Sequence, residues 1–140
     1  MKKLLYLLLA ITIISCGGDD DSGNTNNNSS NLTINPPSWI QGVYYQVFPV
    51  TGDVIPYGYE FKADDFCSIA INLATCNKEQ LEFYASGTTL FADVYEESDN
   101  SRYLLEITFQ STTSAYEFEK VSSTSIKQIL PSGDTTYILQ

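Results

Sequence analysis

Few side chains in this sequence could do chemistry: cysteines at 16, 67 and 76, seventeen carboxylates and ten tyrosines, with no histidine at all. Lacking imidazole, the chain has no Ser-His or Cys-His nucleophile pair, no imidazole general base and no imidazole metal ligand. Paired carboxylates are the remaining route to acid/base catalysis. Past the N-terminal Asp19-Asp20-Asp21 run, the adjacent acids are Asp64-Asp65 and Glu96-Glu97. Neighbours on a strand point to opposite faces, and neighbours in a turn face water, so neither pair makes a dyad. We expect solvated acids, no catalytic residue and no cofactor.

The first cysteine follows Met1-Lys2-Lys3 and an apolar run over residues 4–14. Two lysines ahead of a short apolar stretch read as an export signal whose basic end stays on the cytoplasmic side. As a helix, the run would span roughly 16 Å, against a hydrocarbon core of ~30 Å, too short for a permanent span. Ile13-Ile14-Ser15-Cys16 resembles the bacterial lipobox. That resemblance implies a thioether-linked diacylglycerol on Cys16, which would become an acylated mature N-terminus and a stable membrane anchor. The alternative is an ordinary secretory signal cleaved nearby. Gly17-Gly18-Asp19-Asp20-Asp21 is similar to the surface-export signal of Bacteroidetes-type lipoproteins, and otherwise reads as a solvated start to a linker. The implied location is the outer membrane, lipid-anchored and facing outward.

With Cys16 assigned to lipid, Cys67 and Cys76 remain in an oxidising compartment. We expect them to be joined in a disulfide that stabilises the fold by roughly 2–3 kcal/mol, the alternative being two buried thiols. Zinc would be under-coordinated by two cysteines without histidine, so no metal site is expected.

The net charge is −10, and more negative once Lys2 and Lys3 are removed with the signal. An acidic surface repels phosphate backbones, so nucleic acid is not an expected partner. Anionic head groups are repelled likewise, leaving lipid as the membrane contact.

Three regions follow: the signal at 1–16, a polar tether at 17–36 and a β domain at 37–140. The tether is almost entirely Gly, Asp, Ser, Asn and Thr, too polar to offset the entropy of ordering it. Its span would be roughly 25 Å. Beyond Pro36-Pro37, β-branched and aromatic residues become frequent. Tyr57, Tyr59 and Phe61 alternate with polar or small residues, as do Tyr103, Leu105, Ile107 and Phe109, the period of half-buried strands. Eight strands are expected, near residues 39–48, 57–61, 66–73, 90–95, 103–109, 115–121, 124–130 and 135–139. Short polar connections make them an antiparallel meander. Asn77, Gln80 and Gly87 frame a single helix with Leu81, Tyr84 and Ala85 on one face.

The predicted fold is therefore mainly β, a small antiparallel barrel of 7–8 strands with one short helix. Trp39-Ile40-Gln41-Gly42-Val43-Tyr44, residues 61–67 and residues 116–121 resemble segments of the small lipocalin-like lipoproteins of Flavobacteria and relatives. The Gly-x-Trp of true lipocalins stands here as Gly42-Val43-Tyr44, and no arginine occupies the last strands to stack on it. The resemblance implies a non-catalytic envelope lipoprotein that binds a small apolar ligand or glycan, with Tyr44, Tyr59 and Tyr103 as candidate lining residues. The competing expectation is an accessory or inhibitory lipoprotein whose barrel is filled and whose partner is another envelope protein. Tyrosine also suits half-exposed strand surfaces without any ligand. Asp134-Thr135-Thr136 resembles a short O-glycosylation acceptor centred on Thr135.

Overall fold

The computed structural model describes residues 32–140. The export signal, Cys16, the acidic cluster and the tether up to residue 31 lie outside the described residues. Nine strands form one antiparallel sheet: β1 (Gly42–Val47), β2 (Val54–Phe61), β3 (Phe66–Ala70), β4 (Leu73–Cys76), β5 (Ala92–Ser98), β6 (Arg102–Phe109), β7 (Thr112–Lys120), β8 (Ser125–Gln128) and β9 (Thr135–Leu139). The order across the sheet is β4-β3-β2-β1-β9-β8-β7-β6-β5. Every step joins sequence neighbours except β1–β9, which ties the N-terminal and C-terminal meanders together. The sheet curls into a half-barrel.

The expected architecture is present, with one strand more than the sequence pattern suggests. Residues 66–73 were expected as a single strand; the chain instead reverses at Ile71-Asn72, with φ of 52° and 62°, and returns as β4. Asparagine tolerates that left-handed turn, whereas a β-branched isoleucine gives no sequence signal for it. β4 and β5 do not pair, and α1 (Lys78–Ser86), the one helix among the described residues, connects them. Leu81 of α1 is buried in the core and Tyr84 packs its ring 4.8 Å from that of Phe109 on β6. Ala85, expected on the same face, is exposed.

The helix start also differs from the sequence expectation. Asn77 occupies the cap position but its side chain makes no capping bond. Its amide donates to the Phe66 carbonyl at 2.6 Å. The buried Asp65 carboxylate does the capping from a different segment, accepting the N–H groups of Phe66, Asn77 and Lys78 at 2.8, 3.2 and 3.0 Å. Helix N–H groups without partners need such an acceptor.

One end of the half-barrel is closed by residues 32–41, which cross it before entering β1. Ile34 and Ile40 are fully buried there, each stabilising the fold by roughly 1.5–3 kcal/mol. Leu32 packs against the same core, so the last residues read as tether belong to the packed domain. Asn35 N–H donates to both oxygens of Glu96 at 2.9 and 3.0 Å, and Trp39 Nε1 donates to the Asp99 carbonyl at 2.8 Å. Gly42 is the pivot from this strap into β1, at φ 139°, where a Cβ would meet Leu139 at 2.5 Å. Gly58 is as constrained: a Cβ there would lie 1.9 Å from the Tyr44 carbonyl oxygen, because β1 and β2 approach closely.

Candidate functional site

Three places could carry function: the interior, the disulfide edge and the end opposite the strap. In the interior, Tyr44, Tyr59 and Tyr103 come together around Phe61, with ring centroids 5.9, 6.3 and 6.2 Å from its ring. Tyr44 and Tyr103 are fully buried; Tyr59 is half-buried. Phe66 stacks on Tyr59 at 5.4 Å, while Phe118 and Tyr137 each stand 5.2 Å from it. Aromatic rings thus occupy the space between the candidate lining residues. Edge-to-face pairs at these spacings add about 0.5–1.5 kcal/mol each beyond area burial.

The phenol oxygens are also satisfied from within. Tyr59 and Tyr137 both donate to Oε1 of the buried Gln128, at 3.1 and 2.9 Å. Tyr103 donates to Glu96 Oε1 at 2.5 Å. Burial pushes the Tyr103 hydroxyl well above the ordinary tyrosine range, and the Glu96 carboxylate adds to that. Burial raises Tyr44, Tyr59 and Tyr137 likewise. Among the described residues no buried side-chain polar atom lacks a partner. Such a network specifies one packed arrangement.

The adjacent acids have structural work that sequence spacing does not reveal. Asp65 caps α1, and Asp64 is exposed in an ion pair with Lys78. Glu96 turns inward to Tyr103 and the strap, while Glu97 turns outward to Tyr95 and Arg102. The opposite-face expectation holds for Glu96-Glu97, but Glu96 is not merely solvated.

Cys67 and Cys76 are direct cross-strand partners on β3 and β4, Cα atoms 4.0 Å apart, and are joined in a disulfide. It fastens the exposed edge strand just before α1. Glu60 approaches both sulfurs closely enough for a three-ligand cluster. With the sulfurs bonded to each other no thiolate donor remains, and Glu60 faces Lys62 at 3.6 Å.

The end opposite the strap is different in kind. It carries the β1–β2 loop and the β3–β4 turn, and Asn72 N–H of that turn donates to the carbonyl of Pro56 on β2 at 3.3 Å. Val50 is 95% exposed, Ile71 and Leu73 are each 72% exposed, and Phe48 and Val54 are about half exposed. Isolated exposed apolar residues are ordinary; these five all fall in the two connections at this end or on the strand residues that border them. Ile71 is the sharpest member, since neither burial nor its positive φ favours isoleucine there. On the β9 side of the β1–β2 loop, a cleft of about 340 Å³ is lined by Val47, Phe48, Pro49, Gly52, Thr136 and Ile138 among others. Thr135 begins β9 opposite Gln128 and is half-buried. A second cleft of about 240 Å³ lies between the strap and α1, lined by Leu32, Ile34, Asp64, Lys78, Leu81 and Glu82 among others.

The open end escaped sequence reading because its residues are scattered over two loops. An available signal was Val50 and Ile71 beside turn residues, where apolar side chains cannot be reaching the core. Comparisons with protein families, with curated proteins and with solved structures find no match to this chain.

Proposed function

We propose that this protein is a non-catalytic lipoprotein of the outer membrane, anchored through Cys16, whose lipocalin-like half-barrel engages another envelope protein through its open apolar end. The observation that carries this reading is the contrast within the domain: an interior filled by rings and an end displaying Val50, Ile71 and Leu73 to solvent. Residues 32–41 cross the opposite end, so a chain tethered upstream of Leu32 leaves the apolar loops free to meet a partner. The lipobox-like Ile13-Ile14-Ser15-Cys16 supports the anchor. A second reading, a small apolar ligand or glycan, is supported by the cleft beside Phe48 and Ile138, whose volume falls at the small end of ligand pockets.

Two experiments test the proposal. Cys16→Ala is expected to move the protein into the soluble fraction and abolish acyl-chain labelling; unchanged membrane retention overturns the anchor. A photo-crosslinking side chain at position 71 is expected to give a discrete protein adduct in intact cells, and one at position 99 none. Equal adducts from both positions, or none from either, overturn the interaction reading.

A further inference from the structure

β7 is longer than the strand it pairs with. Its ladder with β8 runs from Lys120↔Ile126 to Phe118↔Gln128, and one more bond joins Ile129 N–H to the Glu117 carbonyl. The chain then turns away through Pro131, which has no N–H to donate. Thr112 to Tyr116 therefore have β6 on one side and, among the described residues, no strand on the other. In an antiparallel ladder, alternate residues direct both backbone groups to the same side. Glu117 directs its carbonyl toward β8, so Thr113 and Ala115, of the same parity, direct their N–H and C=O into solvent.

Natural edges are guarded by lysine, proline, bulges or a covering loop. This one is not. From Gln110 to Tyr116 there is no charged residue and no proline, and Thr112, Thr113, Ser114 and Ala115 are all exposed. The register with β6 is continuous through this stretch, so no bulge twists the edge away.

The neighbouring charge indicates what fits. Glu106 lies directly across from Ala115 on the outer face of the sheet. Of the carboxylates around it, Glu97 and Glu117 are held by Arg102, and Glu119 and Asp134 by Lys127, whereas Glu106 has no cation partner among the described residues. An added strand would lie about 4.8 Å beyond β7, two strand spacings from Glu106. Ala115 is the only side chain between them and is a single methyl, so a long basic side chain placed opposite it can reach that carboxylate. A second copy of the chain pairing about Ser114 would place Thr113 there instead, leaving Glu106 unpaired.

We propose that the free edge of β7 at Thr113–Ala115 is a strand-addition site for an extended, cationic polypeptide segment. Backbone hydrogen bonds to Thr113 and Ala115 supply the attraction, and an Arg or Lys reaching Glu106 selects the sequence. The inference is independent of the lipid anchor and of the apolar loops.

The test uses the full chain and a synthetic peptide alternating valine and arginine, with its backbone N-methylated counterpart as control. Binding of the unmodified peptide should slow amide hydrogen exchange at Thr113 and Ala115, and the N-methylated peptide should not bind. Ala115→Pro removes only a solvent-facing N–H and should weaken binding by about tenfold. Thr113→Lys, which leaves the backbone intact, should weaken it too. Glu106→Gln should cost about threefold and flatten the salt dependence. Unchanged affinity in Ala115→Pro and Thr113→Lys overturns the site, as does binding without exchange protection at those two amides. Protection that appears with rising protein concentration and no peptide overturns the peptide in favour of self-pairing.

Discussion

The two ends of the half-barrel are built on opposite principles. At the strap end, Ile34 and Ile40 are sealed under the chain, Glu96 holds Asn35 and Tyr103 together, and Asp65 closes the helix start. Trp39 adds a bond from its indole N–H to the Asp99 carbonyl there. At the other end, Val50, Ile71 and Leu73 face water and β7 runs on without a neighbour. Anchoring contacts of the strap gather at one end, and exposed apolar loop residues and a free strand edge at the other. Partner-binding surfaces are commonly drawn from such less-committed regions.

The largest expected effect separates the ends directly. Phe61→Ala, which removes the ring shared by Tyr44, Tyr59 and Tyr103, should cost about 3–5 kcal/mol in urea unfolding. Val50→Ala should change stability by less than about 0.5 kcal/mol. Similar costs for the two would erase the distinction.

Next in size is the disulfide. Replacing Cys67 and Cys76 together by serine should lower stability by roughly 2–3 kcal/mol, measured by denaturant midpoint against the oxidised protein. A loss below about 1 kcal/mol would mean that the β3–β4 hairpin holds without its fastening.

Alkaline pH probes the buried phenols. The native fold keeps the Tyr103 proton, whereas the unfolded chain releases it near pH 10.0. The contribution to stability is therefore whole below pH 10.0 and declines as pH rises above it, by about 1.4 kcal/mol per pH unit for that residue. Tyr103→Phe should flatten the alkaline limb of the stability profile; an unchanged limb would place the titration elsewhere.

The smallest effect has the opposite sign. Ile71→Asn, which relieves a β-branched residue at φ 52° and removes an exposed apolar side chain, should raise the melting temperature slightly, a gain of up to about 1 kcal/mol. A clear loss would assign Ile71 to folding rather than to a partner.

Much of the meander was legible along the chain. The alternation of Tyr103, Leu105, Ile107 and Phe109 reads directly as the inner face of β6, because period-2 patterning depends on residue type alone. The Cys67–Cys76 pairing was likewise anticipated from the cysteine count. β4 was missed because its residues, Leu73-Ala74-Thr75-Cys76, are mostly exposed and its turn carries isoleucine. The sequence points to Asn77 as the cap that Asp65 supplies, since a cap arriving from another segment leaves no mark at the helix itself.

The sequence by itself determined an all-antiparallel β domain, its single helix, its cysteine pair and its acidic, histidine-free chemistry, because local pattern and composition carry those properties. Only the tertiary structure decided that Tyr44, Tyr59 and Tyr103 share one packed interior, that Glu96 latches the strap and that β7 outruns β8. Those features depend on where distant segments meet, and a close approach between residues sixty positions apart has no periodicity to reveal it.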